Sequence, residues 1–182
     1  MSRIDESRSF VPVNIAIMTV SDTRILATDT SGQALVDRLT AAGHTLVDRA
    51  IIPDDIDQIV TRLRAWIADP QVDVVITTGG TGVTGRDVTP EAFKQVIEKK
   101  IEGFGELFRW LSYEKIGTST MQSRALGGVA NGTCLFAVPG STNACRDAWD
   151  GILVWQLDGR HRPCNLVELM PRLKEHLKPS GP

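Results

Sequence analysis

The sequence is poor in cysteine, in net charge and in long apolar runs. Its three cysteines, Cys134, Cys145 and Cys164, are widely spaced and form no C-x-x-C pair. This spacing argues against a disulfide framework and against a zinc site. With 20 basic and 22 acidic residues the net charge is -2, and no long basic run is present. Nucleic acid is therefore not expected as a partner.

The chain also lacks an apolar stretch long enough to span a bilayer. Its first ten residues, MSRIDESRSF, are polar and mixed in charge, without the apolar core of a signal peptide. We therefore expect a cytoplasmic protein with no membrane contact.

The length and composition favour one domain. At 182 residues with 42% hydrophobic content, the chain is long enough for one well-packed core and short for two. No internal repeat or linker is visible. We predict a single domain over residues 11–177, with residues 1–10 and 178–182 loosely held at its ends.

Strand-like apolar runs alternate with helical segments along the chain. The runs are residues 13–20, 45–52, 133–138 and the stretch that begins at Val72. The helix after the second run is the clearest, because Asp55 is a suitable cap and the apolar residues that follow repeat every 3.6 positions. This alternation predicts an α/β fold with a mainly parallel sheet covered on both faces.

Two further predictions concern the third quarter of the chain. Residues 96–100 are charged and are predicted to be helical. In the long helical region that follows, one face is predicted to lie in the core, which leaves Trp110 pointing elsewhere. The residues of that face are Phe104, Leu107, Phe108 and Leu111.

The most informative segment is residues 72–91, in which a strand runs into a glycine-rich loop and then into a Thr-Pro-Glu helix start. Such a loop exposes backbone N–H groups at the positive end of a helix dipole, which suits an anion and above all phosphate. Its glycines let a ligand approach the backbone, and Arg86 adds a positive charge. A phosphate repels Asp87 unless a cation lies between them, so Asp87 suggests a Mg²⁺ ligand or a base.

Other interpretations of this loop exist. Residues 80–85 match the G-x-G-x-x-G pattern of dinucleotide-binding folds, but in those folds the helix begins within the glycines, and here it starts at Thr89. The phosphate-loop pattern fails because Arg86 replaces its Lys and Asp87 replaces its hydroxyl. An NAD-dependent oxidoreductase is therefore a remote alternative. The remaining alternative is a structural turn in which Asp87 favours the first turn of its helix.

Polar clusters follow the carboxyl ends of the predicted strands. They are residues 19–22, 53–55, 77–87 and 139–141. In open α/β sheets the ligand crevice lies beyond these strand ends. We therefore expect one cleft to collect the four clusters.

Six short motifs carry a resemblance to a known family. They are Thr-Val-Ser-Asp-Thr at 19–23, Asp-Thr-Ser-Gly at 29–32, Ile-Pro-Asp at 52–54, Thr-Gly-Gly-Thr-Gly at 78–82, Asp-Val-Thr-Pro-Glu at 87–91 and Pro-Gly-Ser at 139–141. In this order they resemble the MoaB/MogA family, which includes the gephyrin G domain and acts in molybdenum cofactor biosynthesis. Segments 102–109, 117–124 and 162–165 resemble the MoaB branch in particular. The resemblance covers residues 11–165.

This resemblance implies a three-layer α/β/α fold with a single molybdopterin-binding domain. In the MogA and gephyrin branches, AMP is transferred from Mg-ATP to the terminal phosphate of molybdopterin and pyrophosphate is released. The resemblance therefore implies an adenylyltransferase with ATP and molybdopterin as substrates and Mg²⁺ as cofactor.

The resemblance also implies roles for individual residues. Asp87 and Asp54 are the expected catalytic and magnesium-binding acids. The expected substrate-binding residues are Ser21, Asp22, Thr78, Gly79, Gly80, Thr81, Gly82, Arg86, Pro139, Gly140 and Ser141. Two of these residues have structural alternatives, since Asp54 belongs to a Pro-Asp-Asp turn and Ser141 is placed to cap a helix.

Two departures from the family pattern bear on activity. Some MoaB-type relatives lack an acid at the position of Asp54, so its presence here favours an active enzyme. Several relatives carry a Lys shortly after the Pro-Gly-Ser turn, where this chain has Asn143, and this change predicts weaker phosphate binding. The competing function is a non-catalytic molybdopterin-binding or scaffold protein of the same pathway.

The resemblance further implies self-assembly. Members of the family form trimers, and MoaB-type proteins pair trimers into hexamers. We therefore expect a homotrimer or homohexamer in which residues 103–125 contribute contacts, with Trp110 off the core face as an interface residue. Other proteins of the cofactor pathway are further candidate partners.

Overall fold

The computed structural model describes residues 4–175. Residues 1–3 of the predicted N-terminal segment, the last two residues of the predicted domain and the predicted tail at 178–182 lie outside the described residues. Among the described residues, no helix has both the length and the apolar character needed to cross a membrane.

Six strands form one sheet in the order β2-β1-β3-β6-β5-β4. They are β1 (Asn14–Val20), β2 (Thr45–Ile52), β3 (Val74–Thr78), β4 (Lys99–Lys100), β5 (Leu126–Ala130) and β6 (Thr133–Val138). Strands β2, β1, β3 and β6 are parallel. At one edge β5 pairs antiparallel with β6, and β4 pairs antiparallel with β5. The predicted α/β fold with a mainly parallel sheet is confirmed.

The helices connect these strands. They are α1 (Thr30–Ala41), α2 (Ile56–Ala68), α3 (Thr89–Lys94), α4 (Glu102–Ile116), α5 (Thr142–Ala148), α6 (Val154–Gln156) and α7 (Leu166–Leu169). Short 3-10 helices cover Gly117–Gln122 and Met170–Arg172, and a π-helical turn covers Trp149–Leu153. Asp55 caps α2 as predicted, because its carboxylate accepts the N–H of Gln58 at 2.9 Å.

The sheet separates two apolar layers, and the strands supply both. Ile15 and Ile17 of β1 belong to the layer covered by α1, α4 and α5, whereas Ala16 and Met18 belong to the layer covered by α2 and α3. This alternation follows from the two-residue period of a strand. Each fully buried Ile or Met contributes about 1.5–3 kcal/mol relative to an exposed one. The result is the expected three-layer α/β/α arrangement.

The helix predicted for residues 96–100 is wrong. Helix α3 ends at Lys94, and the chain then turns into the short edge strand β4, which pairs with β5. Ile97 lies against Gly128, which has no side chain to exclude it. The lysines of β4 are exposed, and lysine is a common residue on edge strands because its charge discourages further pairing. Charge here marks an edge strand.

The predicted core face of α4 is partly wrong. Phe104 and Phe108 are buried and Leu111 packs on the core, but Leu107 is 41% exposed. The buried face also includes Gly105, where a side chain would meet the carbonyl oxygen of Ala125 in the chain leading into β5. The face that packs on the sheet is therefore formed by Phe104, Gly105 and Phe108 and leaves out Leu107. Trp110 is 62% exposed, as expected for a residue off the core face.

Residues 4–10, for which the sequence predicts loose attachment, make specific contacts. The N–H of Asp5 donates to the carbonyl of Arg160 at 2.9 Å, and Arg8 forms an ion pair with Glu168 at 2.6 Å. The ring of Phe10 lies 5.2 Å from that of His44. The segment therefore packs against the end of the domain.

Two of the three cysteines are buried, in agreement with a structural role. Burial raises the pKa of Cys134 to about 12 and that of Cys145 to about 11, so both are neutral thiols. Cys164 is exposed.

Candidate functional site

A cleft of about 370 Å³ lies beyond the carboxyl ends of β1, β3 and β6. Its lining consists of Thr19, Val20, Ser21, Arg24, Ser31, Asp54, Thr78, Gly79, Gly80, Thr81, Gly82, Arg86, Asp87, Pro139 and Gly140. All four polar clusters of the sequence contribute to it, because the carboxyl ends of parallel strands share one edge of the sheet. Of the predicted site residues, Asp22 and Ser141 are outside this lining.

The glycine loop holds its carbonyl groups away from the cleft. The carbonyls of Gly79 and Gly80 accept hydrogen bonds from the hydroxyl and the N–H of Thr89, at 2.8 and 3.0 Å. Those of Thr81 and Gly82 accept from the N–H and Nε of Arg124, at 3.0 and 2.6 Å. In a trans peptide the N–H points opposite to the carbonyl. The N–H groups of residues 80, 81 and 83 therefore point away from Thr89 and Arg124, whereas the N–H of Gly82 hydrogen-bonds to the Asp87 carboxylate. Loop N–H groups of this kind bind anions in other proteins.

Two glycines of the loop have backbone angles that favour glycine. Gly79 has φ of 104° and Gly80 has φ of 62°. A Cβ on Gly80 would also lie 2.5 Å from the Thr89 hydroxyl and 3.1 Å from Oδ1 of Asp54. Glycine at position 80 thus lets the Asp54 carboxylate approach the loop backbone.

Arg124 clamps the glycine loop, and the sequence did not single it out as a site residue. Besides its bond to Gly82, its guanidinium donates to the carbonyl of Asp87 at 2.7 Å and to Oε1 of Glu91 at 2.5 Å. Its planar donors therefore join the start and the end of the loop to α3. Its place in the segment 117–124, which resembles the MoaB branch, was the available signal.

The Asp87 carboxylate is tied to its own loop. Its Oδ2 accepts the N–H of Thr84 at 2.8 Å and the Thr84 hydroxyl at 2.6 Å. Burial raises the pKa of Asp87, but the hydrogen bonds from Thr84 and from the N–H of Gly82, together with the charge of Arg124, hold that pKa below its ordinary value. Asp87 is therefore ionised at neutral pH.

Asp54 has the opposite electrostatic character. Burial raises the pKa of its carboxyl, and the nearby negative charge of Asp22 raises it further. Asp87 adds to this repulsion. Two carboxylates that repel each other beside a phosphate-type loop attract a cation. Asp22 itself forms an ion pair with Arg86 and accepts the N–H of Asp54 at 3.1 Å.

The residues fit a magnesium ion shared with phosphates. Among residues 4–175, no group of three or more His, Cys, Asp or Glu side chains forms a metal cage. Mg²⁺ is commonly bound by one or two carboxylates together with substrate phosphates and water. Asp54 and Asp87 are two carboxylates on the lining of one cleft, which is the number of protein ligands that such a metal needs.

Several predicted binding residues have structural hydrogen bonds. The Thr78 hydroxyl donates to the carbonyl of Pro139 at 3.0 Å. The Ser21 hydroxyl accepts the N–H groups of Thr23 and Arg24, both at 3.2 Å, and so closes its own turn. Ser141 accepts the N–H of Ala144 at 3.1 Å and caps α5. For Ser141 this geometry matches the helix-cap alternative.

A buried acid that was not among the predicted site residues lies behind Thr19 and Ser31 of the cleft lining. Asp29 is 2% exposed and forms an ion pair with Arg49 at 2.9 Å. It also accepts the hydroxyls of Thr19 and Ser31, at 2.8 and 3.2 Å, and the N–H of Gly32 at 2.9 Å. The motif at 29–32 pointed to this region without indicating the network.

A larger cavity, of about 620 Å³, lies elsewhere, between α4 and the edge strands. It is lined by residues such as Ile97, Lys100, Gly105 and Arg109 and by none of the predicted site residues. We assign the chemistry to the smaller cleft, because only that cleft combines the glycine loop with Asp54 and Asp87.

Comparison with known proteins places the chain in one family. A family profile described as "Probable molybdopterin binding domain" matches residues 16–159. The chain is 52% identical over 169 residues to Molybdenum cofactor biosynthesis protein B of Escherichia coli K12, a match that covers 93% of this chain and 98% of that protein.

Solved structures give the same result. A crystal structure of a Molybdenum cofactor biosynthesis protein B superimposes with a TM-score of 0.83 at 40% identity, covering 92% of this chain and 99% of the other. The tungsten cofactor synthesizing protein MoaB from Pyrococcus furiosus gives a TM-score of 0.70 at 35% identity, with 78% and 91% covered. The protein described here therefore belongs to the MoaB/MogA family.

Proposed function

We propose that the protein acts in molybdenum cofactor biosynthesis, where it binds molybdopterin and transfers AMP from Mg-ATP to its terminal phosphate. One observation supports this proposal above all. The glycine loop turns its N–H groups away from Thr89 and Arg124, and Arg86, Asp54 and Asp87 line the same cleft. This combination suits phosphate groups that carry a metal ion.

The proposed reaction is a phosphoryl-type substitution. An oxygen of the molybdopterin phosphate attacks the α-phosphorus of ATP and forms the new P–O bond. The bond from the α-phosphorus to the oxygen that bridges to the β-phosphorus breaks, and pyrophosphate leaves with that electron pair. No covalent enzyme intermediate is needed, so the protein contributes alignment and charge neutralisation.

Each wall of the cleft has a proposed part in this alignment. The N–H groups of the glycine loop and the guanidinium of Arg86 bind phosphate oxygens. Asp54 and Asp87 hold Mg²⁺, which neutralises charge on the transferred and leaving phosphates. Arg24, which also lines the cleft, adds a second positive side chain.

The test is incubation with molybdopterin and Mg-ATP, followed by assay for the adenylylated product. We expect Asp87→Ala to lower turnover by at least about 100-fold with little change in melting temperature, and Asp54→Ala to give an equal or smaller loss. Asp87→Asn retains an acceptor for Thr84 and separates the carboxylate charge from loop structure. Asp57→Ala, an exposed acid on α2, is the matched control. Wild-type turnover in both Asp87 variants would refute the assigned role.

The alternative is a non-catalytic molybdopterin-binding or scaffold protein, and one observation favours it. The Asp87 carboxylate already accepts hydrogen bonds from Thr84 and from the N–H of Gly82, and these compete with a metal ion for its lone pairs. Under this alternative, molybdopterin binds with the same affinity in the presence and absence of Mg-ATP, and no pyrophosphate is released.

We further propose a homotrimer or homohexamer formed through residues 103–125, with other pathway proteins as candidate partners. Along α4 and the turn after it, large apolar side chains are exposed in the single chain. They are Leu107, Trp110, Tyr113, Ile116 and Met121. Leu107, Trp110, Tyr113 and Ile116 recur every three residues along α4 and so lie along one side of the helix. A contiguous group of exposed apolar residues often marks a protein interface.

Light scattering tests this assembly. The wild type should have the mass of a trimer or hexamer, and Trp110→Asp should shift it towards the monomer. Val11→Asp, at an exposed apolar residue outside the segment, is the control. A monomer mass at micromolar concentration, unchanged by salt, would exclude the proposed assembly and leave the cleft proposal intact.

A further inference from the structure

The hydroxyl protons of Thr19 and Ser31 are both committed to Asp29. An ionised carboxylate only accepts hydrogen bonds, so each hydroxyl must donate to it, at 2.8 Å from Thr19 and 3.2 Å from Ser31. Arg49, at 2.9 Å, keeps Asp29 in the ionised form. Because a hydroxyl has one proton, neither side chain has a donor left for a ligand.

Asp29 itself has no capacity left for a ligand. Its Oδ2 accepts Thr19 and Arg49, and its Oδ1 accepts Ser31 and the N–H of Gly32. Four donors fill the four lone-pair positions of a carboxylate. Asp29 is also fully enclosed, so it is a positioning residue and lies out of reach of a metal ion or substrate.

Thr19 and Ser31 nevertheless line the cleft that contains the glycine loop. Their hydroxyl oxygens retain lone pairs. Phosphate oxygens also carry only lone pairs and would be repelled there, whereas a neutral N–H or O–H group would be bound. The acceptor oxygens of Thr19 and Ser31 thus have the opposite hydrogen-bonding polarity to the N–H groups of the glycine loop.

We propose that Thr19 and Ser31 form an acceptor subsite for a neutral N–H or O–H donor of the ligand, with its polarity set by Asp29. The subsite orients a ligand whose phosphates lie against the glycine loop. The inference relies on the proposed function only for the identity of the ligands. The donor belongs either to a nucleotide, as a ribose hydroxyl or the adenine amino group, or to the pterin of molybdopterin.

Calorimetry with five ligands tests this subsite. They are Mg-ATP, Mg-2′,3′-dideoxy-ATP, the Mg-triphosphate of purine riboside, molybdopterin and Mg-pyrophosphate. We expect Thr19→Val and Ser31→Ala each to lower the affinity for the donor-bearing ligand by roughly three- to tenfold, the range for one neutral hydrogen bond. The affinity for Mg-pyrophosphate should not change. Thr19→Ser keeps the hydroxyl and should bind the ligand as the wild type does. Thr30→Val, at the exposed neighbour of Ser31, is the matched control.

The ligands identify the source of the donor. If the substitutions lower the affinity for ATP but not for dideoxy-ATP, the donor is a ribose hydroxyl. If they lower the affinity for ATP but not for the purine analogue, the donor is the adenine amino group. A loss confined to molybdopterin assigns the pterin. The inference is overturned if the affinity for Mg-pyrophosphate falls as much as that for the other ligands, or if the affinity for no ligand falls.

Asp29→Asn tests the positioning role. Its amide keeps one acceptor but turns an N–H towards Thr19 or Ser31, which releases a hydroxyl proton into the cleft. A structural role alone predicts equal losses for all ligands. The proposed role predicts that the affinity ratio of the donor-bearing ligand to Mg-pyrophosphate falls by about threefold or more. Adenylylation is assayed separately from binding. If the variants change ligand affinity as proposed but the wild type forms no adenylylated product, the proposed function is contradicted and the acceptor subsite is not.

Discussion

Two Asp–Arg pairs stand at the cleft, and they differ mainly in burial. In the Asp29–Arg49 pair the side chains are 0% and 14% exposed, whereas in the Asp22–Arg86 pair they are 41% and 69% exposed. Asp29 accepts four donors, whereas the exposed pair links two surface loops. The same two residue types therefore build a fixed contact in one pair and an exposed contact in the other.

The difference follows from solvent screening. A charge pair removed from water is bound firmly by its fixed partners, and the loss of one partner leaves an uncompensated buried charge. A pair in water is weakened by hydration and salt. The proposed exchange of Asp22 for a phosphate would therefore cost Arg86 little. The same exchange would cost Arg49 much more.

The largest expected effect is on stability, when the two pairs are broken in turn. We expect Asp29→Ala to lower the free energy of unfolding by about 3 kcal/mol or more, because it leaves the Arg49 charge buried and removes the cap of α1. Asp22→Ala should leave the unfolding midpoint in urea within experimental error. Equal losses in the two variants would show that burial does not distinguish the pairs.

The second prediction concerns the clamp on the glycine loop. Arg124→Ala should weaken Mg-pyrophosphate binding by roughly tenfold, because the loop loses the guanidinium that joins Gly82, Asp87 and Glu91. Arg124→Lys should not restore binding, since an ammonium cannot reach three acceptors in one plane. Calorimetry at fixed magnesium measures both.

Glu91→Gln is the control for this clamp. It removes the charge of the pair but keeps an acceptor for Arg124 and both loop carbonyl contacts, so a smaller loss is expected. If Arg124→Lys binds Mg-pyrophosphate as well as the wild type does, a positive charge alone is sufficient and the clamp geometry is irrelevant.

Local patterns in the sequence predicted the fold well. The cap at Asp55, the strand at 45–52 and the burial of Phe104 and Phe108 depend on neighbours in sequence, which the periodicity reports. The edge strands were missed because β4 has only two residues, and its pairing with β5 depends on a partner far along the chain. Periodicity contains no information of that kind.

The site shows the same division. Strand-end loops follow from the parallel sheet, so the residues around Ser21, Asp54 and Gly80 were predicted to meet, and they line one cleft. Arg124 and the Asp29 network were not predicted, because each acts through contacts with segments distant in sequence. The sequence motifs at 29–32 and 117–124 marked the two regions, but the contacts themselves depend on the folded chain.

The smallest expected effect is a shift in pH dependence, and it tests whether the exposed pair tunes Asp54. Burial and the charge of Asp22 raise the pKa of Asp54, whereas that of Asp87 is lowered, so Asp54 is the first of the two to gain a proton as pH falls. Only the ionised form binds the proposed Mg²⁺. Mg-pyrophosphate binding should therefore weaken at a pH above the ordinary aspartate pKa of about 3.9.

Asp22→Asn removes the like charge but keeps the acceptor for the N–H of Asp54, and it leaves Arg86 to act on Asp54. Both changes lower the pKa of Asp54, so binding should persist to lower pH than in the wild type.

The stability of the fold should change with pH in the opposite direction to Mg-pyrophosphate binding. A raised folded-state pKa means that an ionised Asp54 destabilises the fold, and this penalty disappears as pH falls through that pKa. Comparing the wild type with Asp54→Asn over that window should show the wild type gaining relative stability while it loses Mg-pyrophosphate affinity. Because protonation of pyrophosphate itself affects every variant equally, identical pH midpoints for the wild type and Asp22→Asn would mean that the exposed pair has no influence on Asp54.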